Sequence, residues 1–265
     1  MIFFFLTVMI ILVFCYFLLI QKDSFEINKT VIPKIIYKTG KTEKDELDPR
    51  IKTLFNKIKS DNPGYEVLYY SDKDAREFIN KHFDKEVLEA YDAILPGAYK
   101  ADIFRFCALY ITGGIYGDLT QTYYVGFSEL IDHDNDELVL VDDIISPPFD
   151  YPGIQINFMA ARPRLKIFKK AIKNIVKSIK NRSYGLNPLD ITGPYLFKRT
   201  LNEMNPPQKY RCELETVIIN NLFLLAYKND NTKIAVNAKL KDHNELLKRD
   251  NSAYYGQMWT ERRIY

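Results

Sequence analysis

Three cysteines and three histidines in 265 residues leave little room for thiol or soft-metal chemistry. Cys15, Cys107 and Cys212 make no Cys-x-x-Cys pair, so neither a structural zinc site nor a disulfide framework is expected. Charge of one sign is also scarce. Thirty-seven basic residues stand against 34 acidic ones, a net charge of +3. The basic residues are mostly scattered lysines with no aromatic interleaving, so no nucleic acid partner is implied. The one cluster, Lys166, Lys169, Lys170, Lys173, Lys177 and Lys180, has the spacing of a solvated helix face. Thr39-Gly40-Lys41-Thr42 lacks the upstream glycine of a P-loop. No internal repeat and no low-complexity linker interrupts the body of the chain.

What is abundant is apolar and aromatic matter, 47% and 14% of residues, ample for a packed core. The first concentration is Ile2–Ile20, apolar apart from Thr7. At about 1.5 Å per residue a helix of that length just crosses a hydrocarbon core of about 30 Å. No basic segment precedes it and no small-residue cleavage site follows, so an uncleaved anchor over residues 1–21 is expected, rather than a signal peptide. Lys22, Lys29, Lys34 and Lys38 all follow the span, which by the positive-inside rule places the body on the cytosolic side. The sequons at Asn28 and Asn181 have meaning only on the other side. A stem (22–31) then leads to one domain (32–265).

Within that domain, short β-branched or aromatic runs alternate with helical periodicity. Strands are expected at Ile32–Thr39, Tyr65–Tyr70, after Gly113-Gly114, at Glu137–Val141, Ile154–Ala161 and Lys233–Val236. Helices are expected at Asp48–Asp61, from the Ser71 cap to His82, at Asp84–Tyr91, Pro96–Thr112, Arg164–Lys180 and Asp190–Leu201. Val217–Leu225 is an apolar run. The pattern predicts an α/β domain with a largely parallel sheet, whose ligands lie beyond the carboxyl ends of the strands. Asp118 and the pair Asp142-Asp143 fall at such ends.

The densest chemistry is in Pro96–Gln121. Asp102 and Arg105 share a helix face at i, i+3. A guanidinium fork beside a carboxylate suits the hydroxyls of a sugar ring; the same pair can equally serve as an ion pair anchoring a buried helix. Asp118, on the turn after a glycine-rich strand, can hold a ribose hydroxyl or a hard cation, or simply cap its turn.

Four blocks occur in order: Ile32-Pro33-Lys34-Ile35-Ile36, Asn62-Pro63-Gly64-Tyr65, Pro96-Gly97-Ala98-Tyr99-Lys100-Ala101-Asp102-Ile103-Phe104-Arg105, and Gly113-Gly114-Ile115-Tyr116-Gly117-Asp118. Phe158-Met159-Ala160-Ala161-x-Pro163 and Thr192-Gly193-Pro194 follow. The layout resembles the family 32 glycosyltransferases, the DXD sugar-binding group, and is similar more distantly to glucosylating bacterial toxins. The resemblance covers residues 32–194 well and the last third weakly. It implies a GT-A fold, a nucleotide-sugar donor, and a glycan, glycolipid or protein acceptor. It further implies a hexose transferred with retention, a divalent cation (usually manganese), and a type II single-pass orientation that the flanking lysines oppose.

Carried over by motif, Asp102 and Arg105 would bind the donor sugar. Asp118 would contact ribose and the metal, with Thr120 and Tyr37 beside the nucleotide. Thr120 stands where the second acid of the motif is expected, and Tyr37 and Gly40 replace a histidine and a tryptophan. The alternative implied by Thr120 is a catalytically impaired relative that binds sugar nucleotide without turnover. Asn157, Gln155, Asp142 and Asp143 are expected on the acceptor side, and Trp259, Asn251 and His243 in a C-terminal closure.

Overall fold

The computed structural model describes residues 31–204, 210–219, 222–237 and 254–265. The apolar run at residues 2–20, most of the stem, His243 and Asn251 lie outside the described residues. Among the described residues, no helix is long and apolar enough to cross a membrane.

The chain opens with β1 (Ile35–Thr39), then α1 (Pro49–Asp61), β2 (Glu66–Tyr70), α2 (Asp72–His82) and α3 (Lys85–Ala93). Each of these helices starts where a short polar side chain can accept an orphan backbone N–H. Asp48 caps α1 ahead of Pro49, Ser71 and Asp74 form a reciprocal box on α2, and Asp84 caps α3. The central helix α4 (Gly97–Thr112) is buried over most of its length. It stops at Gly113, whose φ of 67° favours glycine.

Then come β3 (Gly114–Gly117), β4 (Gln121–Tyr123), the single turn α5 (Phe127–Leu130), β5 (Leu138–Asp142), β6 (Ile154–Ala161), α6 (Lys166–Lys180) and α7 (Pro194–Glu203). The hairpin strands β7 (Tyr210–Ile219) and β8 (Leu222–Tyr227), β9 (Lys233–Asn237) and a short α8 (Tyr255–Thr260) complete the described chain. On α6 the lysines at 166, 169, 173, 177 and 180 are exposed while Ile167, Phe168, Ile172, Ile175 and Ile179 are buried, so that cluster is a solvated face.

The nine strands form one sheet in the order β2-β1-β3-β6-β5-β7-β8-β9-β4. The sheet is mixed, which corrects the expectation of a largely parallel one. β1 runs parallel to β2 and β3, and β5 to β7; the other neighbours are antiparallel. The antiparallel pairs come from β6, which returns between β3 and β5, and from the β7-β8-β9 meander. Polar residues such as Arg211, Glu213 and Glu215 concealed β7 from a reading of apolar runs.

Alternation along the strands feeds two cores. Tyr37, Tyr116, Leu138 and Leu140 face α2, α3, α4, α6 and α7; Ile36, Ile115, Val139 and Val141 face Phe127 and the β8-β9 side. In β6 the alternation slips. Ile154 and Ile156 join the helical core, yet Phe158 and Ala160 join the other. The slip coincides with a register shift against β5, where Val139 faces Ala160 but Val141 faces Gln155. This bulge lies beside the ends of β3 and β5, and bulges re-aim backbone and side chains in such places.

Candidate active site

Strand directions bring three ends to one edge of the sheet. β6 is antiparallel to both β3 and β5, so its start lies with the carboxyl ends of the other two. Asp118 after β3, Asp143 after β5 and Gln155 near the start of β6 therefore share an edge, with the bulge residues Ile156 and Asn157 between them.

On the helical side of that edge, Asp102 and Arg105 project from α4. Arg105 Nη2 lies 3.1 Å from Asp102 Oδ1 and 3.5 Å from Asp118 Oδ1, so one guanidinium joins both carboxylates. Its Nη1 donates to Ile156 O at 2.5 Å, its Nε donates to Ala101 O at 3.2 Å, and its plane sits 4.3 Å from the Tyr116 ring centroid. The fork is held on every side, as bidentate and stacked arginines are. Asp102 is held as firmly. Its Oδ2 accepts from the Thr192 hydroxyl at 2.6 Å, which gives the Thr192-Gly193-Pro194 motif a role: Thr192 buttresses Asp102, Gly193 passes close to Leu189 O, and Pro194 begins α7. Burial pushes the Asp102 carboxyl up to about 6, against the pull of Arg105 and Thr192.

Asp118 is the member that opens outward, with 34% of its side chain exposed against 11% for Asp102. The Tyr116 hydroxyl donates to its Oδ1 at 3.3 Å, and its N–H donates to Asn157 O at 2.9 Å. Lys38, absent from any motif reading, reaches the same turn from β1. Its Nζ donates to Asp118 O at 2.9 Å and stands 5.1 Å from the Tyr123 ring centroid, with 0% of the residue exposed. Burial pulls its ammonium down to about 7, opposed by the charge on Asp118. Gly117 makes this approach possible, because a Cβ there would stand 2.9 Å from Lys38 Nζ. Two buried amides beside the turn carry unpaired atoms, Gln121 Nε2 and Asn157 Oδ1.

The acceptor-side expectations divide. Asp143 Oδ1 accepts from Gln155 Nε2 and from Ile144 N, both at 2.9 Å, and Asn157 N donates to Gln155 Oε1 at 3.4 Å. A polar row thus runs from Asp118 through Asn157 and Gln155 to Asp143, and burial raises Asp143 to about 6. Asp142 turns away to pair with Lys228 at 2.5 Å. Tyr37 is in the core, 1% exposed and hydrogen-bonded to Thr112 Oγ1 at 2.7 Å, so it faces no open site. Trp259 Nε1 donates to Tyr184 O at 2.7 Å, which docks the tail. Of the described tail residues, Tyr255 feels the charge of both carboxylates. It packs on Tyr99, and burial, then Tyr254, then the charges of Asp102 and Asp143 raise its hydroxyl. Nothing in its spacing marked it out.

A divalent cation needs several oxygen donors, with one or two carboxylates as a minimum even when phosphates complete the shell. Among the described residues no three His, Cys, Asp or Glu side chains gather as metal ligands. Thr120, 3% exposed, offers only a neutral hydroxyl where an acid would bring a charge. Among the described residues, that leaves as charged or amide donors the Asp118 carboxylate, already beside a guanidinium, and the amide oxygen of Asn157. These residues do not fit a preformed divalent site.

Residues 48–139, which carry Asp102, Arg105, Asp118 and Thr120, match the family described as glycosyltransferase sugar-binding region containing DXD motif. The chain is similar to inositol phosphoceramide mannosyltransferase 2 of Schizosaccharomyces pombe, 30% identical over 191 residues, covering 69% of this chain and 51% of that protein. It is also similar to inositol phosphoceramide mannosyltransferase 3 of the same organism, 34% identical over 92 residues, 35% of this chain and 25% of that one. Of solved structures, the PaToxG glycosyltransferase superposes with a TM-score of 0.48 at 17% identity, over 69% of this chain and 76% of that chain. The chain spans about half the length of the first of these relatives. The resemblance to the family 32 glycosyltransferases that the motifs carry stands on the sugar-binding region and on the two mannosyltransferase relatives.

Proposed function

We propose that this chain is a membrane-anchored glycosyltransferase of GT-A fold that moves a hexose from a nucleotide sugar to a glycan, glycolipid or protein acceptor, with retention of configuration. The observation that carries the reading is the single connected unit Asp102–Arg105–Asp118 at the carboxyl end of β3, inside the DXD region. Glycosyl transfer develops an oxocarbenium-like sugar and a negative leaving diphosphate, so it needs fixed charge beside the bond that breaks. In this reading Asp118, the more open carboxylate, meets the ribose hydroxyls, and Arg105 lies where the sugar joins the diphosphate. Asp102 holds Arg105 in place, and the Asp143–Gln155–Asn157 row receives the acceptor hydroxyl. Residues 2–20 supply the anchor. Two of the relatives it matches are inositol phosphoceramide mannosyltransferases by name, so a mannose nucleotide belongs first in the donor panel.

The test is turnover by the full chain in detergent across nucleotide sugars, read as released nucleoside diphosphate. Release from at least one donor is expected; none from any donor, with or without manganese, overturns the reading. The buried Thr120 in place of an acid favours a second reading, a binding relative without turnover. Saturable nucleotide-sugar binding with no release selects it.

A further inference from the structure

The charges around Asp118 invite a comparison. Asp102 and Asp118 are two carboxylates, and Arg105 and Lys38 are two cations, all within one hydrogen-bonded or ion-paired group. An acid at position 120 with no ammonium at 38 would leave three carboxylates against one guanidinium. That cluster would be two charges negative, the imbalance that one divalent cation cancels. With Thr120, and with Lys38 protonated, the cluster is already balanced by the protein's own atoms.

The hydrogen-bonding groups at the turn lean the same way. Lys38 Nζ carries three donors and gives one to Asp118 O. Gln121, 0% exposed, has its Nε2 unpaired, while its Oε1 accepts from the Tyr123 hydroxyl. Neither donor reaches a ligand, but the positive ends of both make the turn a better neighbour for an anion than for a cation; among the described residues the buried unpaired acceptor beside it is Asn157 Oδ1.

We propose that Lys38, from behind the Asp118 turn, and Arg105, beside it, furnish the positive charge for a nucleoside diphosphate, so that binding of the diphosphate requires no metal. The inference rests on the nucleotide-sugar reading above. Lys38 is wholly buried and does not touch the phosphates. It acts through its field and by orienting the turn, and is a positioning residue. A charge in a water-poor setting reaches an anion with far less screening than one at the surface.

The experiment is calorimetry of the full chain in detergent with UDP and with GDP, each in EDTA and in manganese, and with manganese alone. One nucleotide is expected to bind in EDTA, with manganese changing its affinity by less than about threefold, roughly 0.7 kcal/mol. Manganese alone should give no heat. Lys38→Met should weaken binding in EDTA by about tenfold or more, and added manganese should recover part of that loss. A purely structural lysine would lower stability without creating a response to manganese. Thr120→Asp should make binding respond to manganese.

Binding seen only with manganese overturns the inference, and that comparison needs no variant. So does a Lys38→Met protein with unchanged circular dichroism and unchanged nucleotide affinity. Absence of nucleotide binding under both conditions overturns the nucleotide-sugar reading itself.

Discussion

Thr192 Oγ1 and Asp102 Oδ2 lie 2.6 Å apart, joining residues 90 positions distant in the chain and pinning the start of α7 to the middle of α4. A buried carboxylate that loses one of its few donors is left with a desolvated oxygen. Thr192→Val should therefore destabilise the fold by about 1–3 kcal/mol in chemical denaturation, and Thr192→Ser by much less. Donor affinity should fall in the valine variant, because Arg105 takes its position from Asp102.

Removing the guanidinium is harsher. Arg105→Met leaves Asp102 buried without its cation and strips a donor from Ile156 O. A loss of about 3–5 kcal/mol is expected, read as a lower melting temperature, since an unpaired buried charge costs more than the pair contributed.

Asp118→Asn separates activity from stability. The side chain is one-third exposed, and the backbone bonds to Lys38 and Asn157 do not depend on its charge. Stability should change by less than about 1 kcal/mol, while donor turnover falls by about a hundredfold or more. Full activity in this variant would remove Asp118 from the site.

Asp143 gives a pH signature. Burial raises its carboxyl from 3.8 to about 6, so between those values the folded protein holds a proton that the unfolded chain has released. Its contribution to stability is greatest below pH 3.8 and is lost as the pH rises to about 6. The difference in stability between the native protein and Asp143→Asn should therefore shift against the native protein as pH rises through that window, and flatten above it. The groups around it are Gln155 Nε2 and the Ile144 amide, with Tyr195 and Tyr255 near enough to feel its charge. A flat difference across the window would mean that Asp143 is solvated like an ordinary surface acid.

Gly117→Ala tests the turn without touching a charge. The added methyl would stand 2.9 Å from Lys38 Nζ and closer still to the Tyr123 hydroxyl. Lys38 must then give way, and nucleotide affinity should fall with the secondary structure intact. Unchanged affinity would show that the turn tolerates a displaced lysine.

The helices and most strands were legible because local rules decide them: caps at Asp48, Ser71 and Asp84, glycine after α4, and amphipathic lysines on α6. Asp102, Arg105 and Asp118 were legible as candidates, since charge on an otherwise apolar segment needs a reason. Spacing alone left open whether Arg105 served an ion pair or a ligand, and the structure shows that it bonds both carboxylates. Lys38 was not legible. On β1 it looked like one more lysine, and only the pairing of β1 with β3 carries it beneath Asp118. Sheet direction was missed for a similar reason, because antiparallel return by β6 is set by tertiary packing. Tyr255 was hidden in a polar tail whose docking on Tyr99 no local pattern announces.

The bulge in β6 has a consequence for how this site can vary. Two of its carbonyls hold the centre together, Ile156 O on Arg105 and Asn157 O on the Asp118 amide. A carbonyl belongs to a position and not to a residue type, so the identity of residue 156 is open to drift among apolar side chains. The number of residues between Gln155 and Phe158 is not. Deleting one would restore regular alternation, withdraw both carbonyls and release Arg105 with every side chain of the motif still present. At this edge of the sheet, chain length constrains the site more tightly than spelling does.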